Sequence, residues 1–156
     1  ITNRMTQKKI NIALYQPDIP QNTAAIIRVA ACLNTCLHII KPTGFVFNEK
    51  KIDRIYMDYI KHCEIKFFDS IEEFLLKKAN RRIILFTTKA TLSYAKFKFK
   101  SDDILLFGNE TYGVSKHLYN TLENQVKIPM NNKTRSFNLV SSVSIGASEA
   151  LRQLNV

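Results

Sequence analysis

The sequence predicts one α/β domain built around a parallel β-sheet. Short, almost wholly apolar runs alternate with segments of helical periodicity along all 156 residues, and no change in composition divides the chain. Two of the runs, 82–87 and 103–107, are too apolar for strands with one solvent-exposed face. Such runs are typical of parallel strands that helices cover on both faces. We expect residues 9–156 to form the domain and residues 1–8 to be a disordered N-terminal extension or a vector-derived remnant.

Strands and helices alternate in the first half of the chain. Apolar side chains at a spacing of about 3.6 residues predict a helix over 23–33, with Asn22 or Thr23 as its N-cap. Ser70 and Glu73 have the spacing of a capping box, which indicates the start of another helix. The predicted strands of this half are 10–15, 37–41 and 65–68, and its predicted helices are 23–33, about 49–59 and 70–78.

The second half of the chain adds three strands and a long C-terminal helix. An apolar stripe predicts that helix, which we expect to begin near Leu139. The segment 94–100 alternates aromatic residues with lysines and is predicted to form a half-buried edge strand that exposes its lysines. Stacking of RNA bases on Phe97 and Phe99 is the alternative. The predicted strands of this half are 82–87, 103–107 and 125–128, and the predicted helix is 139–154.

The chain is strongly basic, with 23 Lys and Arg residues against 13 Asp and Glu residues and a formal net charge of +10. Basic surfaces attract phosphate backbones and release their counterions on binding, so the charge favours a nucleic-acid partner. Free use of lysine in an ordinary globular protein would produce the same excess. The charge therefore supports a nucleic-acid partner without identifying one.

The three cysteines indicate neither a disulfide framework nor a metal site. Cys32 and Cys36 lie four residues apart, but no second pair of ligands follows at a suitable spacing. We expect Cys32, Cys36 and Cys63 to be buried thiols of a reducing cytoplasm, and we expect no metal. No apolar run approaches the length of a membrane span, so we expect a cytoplasmic protein without a membrane partner.

Three unusual loops follow predicted strands, and parallel sheets bind their ligands at this edge. The first leads from Asn22 to Arg28, an arginine between apolar neighbours whose simpler interpretation is a surface side chain. The second holds two of the four glycines, Gly108 and Gly113, on either side of Glu110. Glycine lets a backbone approach a ligand closely, although a plain tight turn has the same pattern. Glu110 can accept hydrogen bonds from loop amides or from a ligand.

The third loop leads from Ile128 into the last helix. Ser136 and Asn138 can satisfy the open amides at the start of that helix, and the small residues in its first turns permit close approach of a ligand, a loop or a partner subunit. A capped helix with a polar face is the simpler interpretation. The sequence contains neither GxGxxG nor GxxxxGK[ST], which argues against a nicotinamide, flavin or P-loop nucleotide site.

Taken together, the order and spacing of these loops resemble the three signature motifs of the SPOUT methyltransferases. The first motif contains Asn22 and Arg28, the G-x-E-x-x-G motif lies at 108–113, and the I-P-M…S-x-N-L motif lies at 128–139. The resemblance extends over nearly the whole chain. It is greatest to the minimal TrmL/YibK-type branch, which has no extra RNA-binding domain.

The resemblance implies a SPOUT-type parallel-sheet domain with a C-terminal deep trefoil knot, a homodimer, and S-adenosyl-L-methionine (SAM) as cofactor, released as S-adenosyl-L-homocysteine. The implied activity is 2'-O-methylation of the tRNA wobble nucleotide, position 34, a cytidine or modified uridine in the anticodon loop. The residues implied to bind the cofactor are Phe86, Thr87, Gly108, Glu110, Gly113, Ile128, Met130, Ser136, Asn138 and Leu139. The residues implied to bind the RNA are Asn22, Arg28, Lys133 and Arg135.

Arg28 is the implied catalytic residue. A guanidinium stays protonated in proteins and is a poor base, so we favour a role in orienting the ribose and stabilising the developing alkoxide. The chain departs from the family pattern at three places: Ala24-Ala25, Tyr112 and Ser148 stand where relatives carry Gly-Asn, Arg and Tyr. These departures leave open another tRNA or rRNA ribose as the target, or an RNA-binding module that has lost catalysis.

Overall fold

The computed structural model describes residues 9–46 and 58–155. Its strands are β1 (Asn11–Tyr15), β2 (Cys36–Ile40), β3 (Glu64–Phe68), β4 (Ile83–Phe86), β5 (Ile104–Phe107) and β6 (Asn124–Val126). Its helices with described bounds are α1 (Pro20–Cys32), α2 (Ile71–Lys77), α3 (Lys116–Thr121) and α4 (Leu139–Gln153). All six strands are parallel and form one sheet in the order β3-β2-β1-β5-β4-β6.

Helices cover both faces of the sheet, as the apolar strands predict. On one face, α1 and α4 pack on the strands in a core that includes Phe86 and Val143. On the other face, α2 and α3 contribute Phe74 and Leu118 to a second core. Strands β1, β2, β4 and β5 are almost completely buried. Each large apolar side chain that they bury contributes about 1.5–3 kcal/mol, so these central strands hold the two layers of helices together.

The direction of chain progression across the sheet reverses between β1 and β5. From β1 the chain moves outward through β2 to β3, and it then crosses to β4 and β5 on the other side. Leu14 of β1 pairs with Phe107 of β5, so the loops that follow these strands are neighbours at the carboxyl edge. In open parallel sheets a ligand binds in the crevice beside such a reversal.

The structure confirms all six predicted strands and three of the predicted helices, with ends that differ from the predicted ones by at most three residues. The predicted helix at 49–59 falls almost entirely outside the described residues, and so do residues 1–8. Helix α3 has no counterpart among the predicted helices, because six residues are too short to show helical periodicity. Its signal in the sequence is Ser115, whose side chain caps the helix by accepting a hydrogen bond from the Leu118 amide at 3.2 Å.

The start of α1 corrects the predicted N-cap. The helix begins at Pro20, three residues before the predicted start, and Ile19 is its N-cap without a side-chain hydrogen bond. Proline suits this position because its missing N–H would have no helical partner there. Asn22 and Thr23 lie inside the first turn, and Thr23 is buried. The prediction that one of them caps the helix is therefore wrong.

The predicted capping box at the start of α2 is confirmed. The hydroxyl of Ser70 accepts a hydrogen bond from the Glu73 amide at 3.1 Å. The Glu73 carboxylate in turn accepts from the Asp69 amide at 2.5 Å and from the Lys77 ammonium at 2.7 Å. These hydrogen bonds, that of Lys77 first, lower the pKa of Glu73. The carboxylate thus satisfies an open amide and lies at the positive end of the helix dipole.

The predicted edge strand at 94–100 is wrong, since this segment forms turns and loop. The Arg82 guanidinium anchors it: Arg82 binds both carboxylate oxygens of the buried Asp103, at 2.9 and 2.6 Å, and lies over the Phe97 ring at 4.9 Å. Phe99 is buried in the core against Phe86. The burial of Phe99 contradicts base stacking on that ring, whereas for the half-buried Phe97 the alternative stays a prediction.

The cysteines form no disulfide, and only two of them are buried. Cys36 and Cys63 lie in the core, whereas Cys32, the last residue of α1, is exposed, which corrects the prediction of three buried thiols. Within residues 9–46 and 58–155, no group of three or more His, Cys, Asp or Glu side chains could hold a metal ion. None of the helices in the same part of the chain combines the length and apolar character that crossing a membrane requires.

Gly146 allows α4 to lie close to the sheet. A Cβ atom at this position would lie 2.7 Å from Cε1 of Phe86 and 3.3 Å from Cζ of Phe107.

We expect Gly146→Ala to lower the free energy of unfolding by about 1–3 kcal/mol through overpacking. This loss opposes the higher helix propensity of alanine, which favours alanine over glycine within a helix by about 1 kcal/mol. Denaturant unfolding measures this change. Ser148→Ala on the exposed side of α4 is the control, with an expected change within about 0.5 kcal/mol. Equal stabilities of both variants and the wild type would contradict the close approach.

His38 makes the stability of the fold depend on pH. Its ring is 1% exposed and lies against Phe68 and Phe74, and in the described part of the chain its Nδ1 has no hydrogen-bond partner. Burial, reinforced by Lys78 and Lys66, lowers the pKa of His38 from 6.5 to about 3. Below pH 6.5 the unfolded chain therefore binds a proton that the folded chain does not. Stability falls as pH falls from 6.5 towards 3, with a slope that approaches about 1.4 kcal/mol per pH unit.

Free energies of unfolding at pH 7 and pH 5 test this dependence. We expect His38→Leu to remove most of the loss that the wild type shows between the two pH values, and we expect the exposed control His62→Gln to retain it. The same loss in His38→Leu as in the wild type would show that other groups cause it.

Candidate functional site

A cavity of about 780 Å³ opens at the carboxyl edge of the sheet, beyond β4, β5 and β6. Its volume is in the range of sites that bind small molecules and cofactors, about 300–1,000 Å³. The ends of β4 and β5, the loops after β4, β5 and β6, and the first turns of α1, α3 and α4 all contribute to its walls. The cavity brings together all ten residues implied for the cofactor: Phe86, Thr87, Gly108, Glu110, Gly113, Ile128, Met130, Ser136, Asn138 and Leu139.

The loop after β5 is a tight turn that also forms a wall of the cavity. Asn109 and Gly113 exchange backbone hydrogen bonds of 2.8 and 3.0 Å. Gly113 has a φ of 71°, a conformation that favours glycine. A Cβ atom on Gly108 would lie 2.6 Å from the carbonyl carbon of Gly113, so a side chain there would force the turn apart. Both glycines therefore serve the geometry of the turn itself, and this turn presents its backbone to the cavity.

The carboxylate of Glu110 joins the loop after β5 to the start of α1. Its two oxygens accept hydrogen bonds from the backbone amides of Asp18, at 2.9 Å, and Ile19, at 3.2 Å. These amides immediately precede α1, where open N–H groups and the helix dipole favour a negative charge. Of the two partners proposed from the sequence for Glu110, loop amides or a ligand, the structure contains the loop amides.

Asn109 and Tyr112 complete the connection between the two loops. The buried Asn109 amide group donates to the backbone carbonyl of Gln16 at 2.7 Å, and the Tyr112 hydroxyl donates to the Gln16 side chain at 3.0 Å. We call the hydrogen bonds that join Asn109, Glu110 and Tyr112 to residues 16–19 the loop seam. Asn109 and Gln16 are absent from the predicted site residues. Gln16 adopts a φ of 46°, a conformation that its residue type does not suggest.

Asn138 connects the third motif to the first. It is the N-cap of α4, where its side-chain oxygen accepts from the Val140 amide at 2.8 Å, which confirms its predicted capping role. Its side-chain nitrogen lies 3.4 Å from the side-chain oxygen of Asn22 on α1. Ser136 lines the cavity two residues before the cap. The starts of α1 and α4 therefore meet at the cavity.

The charged residues of the cavity are Lys89, Glu110 and Lys116. Glu110 is already bonded to two amides, whereas neither lysine forms an ion pair within the part of the chain that the structure describes. The Lys89 ammonium lies 5.4 Å from the centre of the Tyr119 ring, which also borders the cavity. The cavity thus offers positive charge to a ligand. The predicted site residues include neither lysine.

Arg28 does not line the cavity. It lies on the exposed side of α1, and its guanidinium stacks over the Tyr59 ring at 4.9 Å. Lys133 and Arg135 are exposed in the loop that leads into α4, and they too lie outside the cavity lining. Of the four residues implied to bind RNA, the single chain brings only Asn22 to the cavity.

Asn109 tests the importance of the loop seam for stability. In Asn109→Asp an oxygen replaces the amide nitrogen that donates to the Gln16 carbonyl. Because the side chain is buried, we expect the unpaired acceptors to lower the free energy of unfolding by about 1–3 kcal/mol. Asn120→Asp, at an exposed position of α3, is the control for the change in charge. Denaturant titrations of both variants give the two values, and equal losses would refute a special role for Asn109.

Comparisons with known proteins point to one family. The model of the SpoU rRNA Methylase family matches residues 9–148. A tRNA (cytidine(34)-2'-O)-methyltransferase of Aeromonas hydrophila is 37% identical over 147 residues, which cover 93% of this chain and 94% of the relative. The protein of the same name from Escherichia coli K12 is 37% identical with the same coverage.

Solved structures share the fold. One, described as giving structural insights into the 2-OH methylation of C/U34 on tRNA, has a TM-score of 0.88 at 36% identity and covers 94% of this chain and 96% of its own. A putative RNA methyltransferase from Bacillus anthracis has a TM-score of 0.87 at 35% identity and covers 94% of each chain. The SpoU methyltransferase AviRb from Streptomyces viridochromogenes, in complex with the cofactor AdoMet, has a TM-score of 0.79 at 22% identity and covers 99% of this chain and 62% of its own.

Proposed function

The chain belongs to the SpoU rRNA methylase family, and we propose that it transfers the methyl group of SAM to the 2'-hydroxyl of the wobble nucleotide of tRNA, cytidine or modified uridine 34. The observation that carries the proposal is the convergence of all ten implied cofactor residues on one cavity. The choice of target is supported by relatives that are 37% identical over 93% of the chain and are named for cytidine 34.

The residues of the cavity fit SAM. Apolar side chains such as Phe86, Ile128 and Leu139 suit the adenine ring, and the polar Thr87 and Ser136 suit the ribose and the amino-acid group. The turn after β5 allows close contact with a ligand through its backbone. Bound SAM supplies an activated methyl group and leaves as S-adenosyl-L-homocysteine. Transfer from a sulfonium requires no metal ion, and we propose none.

The remaining task of the protein is to present a ribose hydroxyl to the methyl group. We assign Arg28 the role of orienting the ribose and stabilising the developing alkoxide, while the proton leaves to a phosphate or to water. Because Arg28 lies outside the cavity of its own chain, we propose a homodimer in which a second copy brings its Arg28 to the site. Lys133 and Arg135 are exposed and available to the phosphates of the anticodon loop, and Asn22 borders the cavity.

We also propose the deep trefoil knot of the family for the C-terminal region. Two contacts support a chain path in which the segment after β6 passes the loop that follows β4. Lys127 exchanges backbone hydrogen bonds of 2.9 and 2.8 Å with Leu92 and Tyr94. At the end of α4, the Gln153 side chain bonds to the backbone at 97–99, at 2.9 and 3.0 Å.

The remaining proposals concern organisation and location. We propose that residues 9–156 form one methyltransferase domain. Since the proposed substrate is tRNA, we place the activity in the cytoplasm.

Another ribose of tRNA or rRNA is the second candidate target. The observation that favours it is Tyr112, which stands 58% exposed beside the cavity at a position where the SPOUT resemblance implies Arg. An RNA-binding module without catalysis fits less well, because Arg28, Glu110, Ser136 and Asn138 are all retained.

Methyl transfer tests the proposed function. We would incubate the protein with labelled SAM and bulk tRNA from a strain that lacks it, and then map the 2'-O-methyl groups. We expect a single mark at the first anticodon position. Arg28→Ala should lower kcat by about 100- to 1,000-fold, the usual effect of losing one group that stabilises an oxyanion, with the Kd for SAM unchanged. Arg81→Ala is the control, because Arg81 forms an ion pair with Asp102 and neither residue lines the cavity.

Two outcomes of this experiment would refute parts of the proposal. Transfer to ribosomal RNA alone would refute the tRNA target, and no transfer to any RNA despite SAM binding would refute the methyltransferase activity.

Mixed dimers of Arg28→Ala and Asn138→Ala chains test the contribution of the second copy. We expect them to regain activity, since one of their two sites combines an intact cavity with an intact Arg28. No regain would contradict a dimer that shares its sites.

A further inference from the structure

Tyr112 is the most exposed large apolar side chain that borders the cavity, with 58% of its surface accessible. Seven large apolar side chains are exposed in residues 9–46 and 58–155, and three of them, Ile19, Tyr112 and Phe137, border this cavity. Singly exposed apolar residues are ordinary, but a group around a ligand cavity indicates a contact surface.

The Tyr112 ring is held in place before any ligand binds. Its hydroxyl donates to the Gln16 side chain at 3.0 Å, and its backbone amide donates to the Asn109 side chain at 3.3 Å. Both contacts belong to the loops that the seam connects. A side chain with a fixed rotamer loses little conformational entropy on binding, so the exposed ring is a preorganised contact.

The charges of the cavity that Tyr112 borders fit a nucleic acid rather than another apolar surface. Lys89 and Lys116 border the same cavity without an acidic partner in the described part of the chain, and the one carboxylate among the cavity residues, that of Glu110, is bonded to two amides. An exposed aromatic face on a cavity that also carries unpaired lysines suits a nucleobase on a phosphate backbone, because the base stacks while the cations bind phosphates.

We propose that the face of Tyr112 stacks on a nucleobase of the single-stranded RNA segment that carries the target ribose. This inference rests on the proposed function, and it assigns a contact that the cofactor and Arg28 do not provide. Stacking tolerates different bases, since every base has an aromatic face. Tyr112 therefore contributes to the affinity for an unpaired loop, and the chemical step does not depend on it.

Steady-state kinetics with an anticodon stem-loop RNA test the assignment. Tyr112→Ala should raise KM for the RNA by about 5- to 150-fold, the range measured for loss of one stacked base, while its kcat and its Kd for SAM should equal those of Tyr112→Phe, which lacks the same hydrogen bond to Gln16. Tyr112→Phe keeps the ring and loses only the hydrogen bond to Gln16, so its KM should rise far less. Leu92→Ala removes an exposed apolar side chain outside the cavity lining and is the control.

A stem-loop that carries 2-aminopurine in the loop gives a second readout that does not require turnover. Stacking quenches the fluorescence of this base, so we expect quenching with the wild type and Tyr112→Phe and its loss with Tyr112→Ala. If Tyr112→Ala does not fold, Tyr112→Leu keeps the apolar bulk and removes the aromatic face.

Four results would overturn the proposal. The first two are an unchanged KM in Tyr112→Ala and quenching that persists without the ring. The third is a Kd for SAM that is weaker in Tyr112→Ala than in Tyr112→Phe, which would assign the ring to the adenine of the cofactor. The fourth is a lower molecular mass of Tyr112→Ala in solution, which would assign the ring to contact between two copies. Failure of the proposed function appears differently. In that case the wild type itself transfers no methyl group, while the fluorescence readout still reports whether Tyr112 stacks.

Discussion

The bonds between one carboxylate and two backbone amides hold the ligand-binding edge of this sheet together. Glu110, in the turn after β5, accepts from Asp18 and Ile19, which directly precede α1. These segments are neighbours only because β1 and β5 lie side by side where the strand order reverses. The loop seam fixes the start of α1 relative to the turn after β5, and α1 in turn places Asn22 beside Asn138 at the cavity. The geometry of all three motifs thus depends on this contact.

The architecture was largely predictable because it follows from local patterns. Wholly apolar strands, the spacing of Ser70 and Glu73, and the stripe along α4 each express a rule that acts over a few residues. The errors arise where distant parts of the chain decide the outcome. The segment 94–100 alternates like a strand, yet the pairing of Arg82 with Asp103 and the burial of Phe99 hold it as a loop.

The candidate site shows the same division. Its motif residues were identifiable because they lie in short segments, and the fold brings ten of them to one cavity. Asn109, Gln16 and the two lysines of the cavity were missed, since their roles depend on partners up to 93 residues away or on the shape of the cavity. Arg28 is the opposite case, because the motif identifies it while the single chain leaves it outside the cavity. The role that we propose for it therefore requires a contact that the sequence pattern does not contain.

The most direct test of the account is amide hydrogen exchange at Asp18 and Ile19 in Glu110→Gln, measured together with the Kd for SAM. The exposed Glu123→Gln is the control. A glutamine keeps the length of the side chain, but an NH2 donor replaces one of the two oxygens that accept from the amides. The account predicts that at least one of the two amides exchanges faster and that SAM binds more weakly, because the turn after β5 loses part of its anchor. Weaker SAM binding with unchanged exchange at both amides would mean that Glu110 acts on the cofactor directly, and it would contradict the central role of the loop seam.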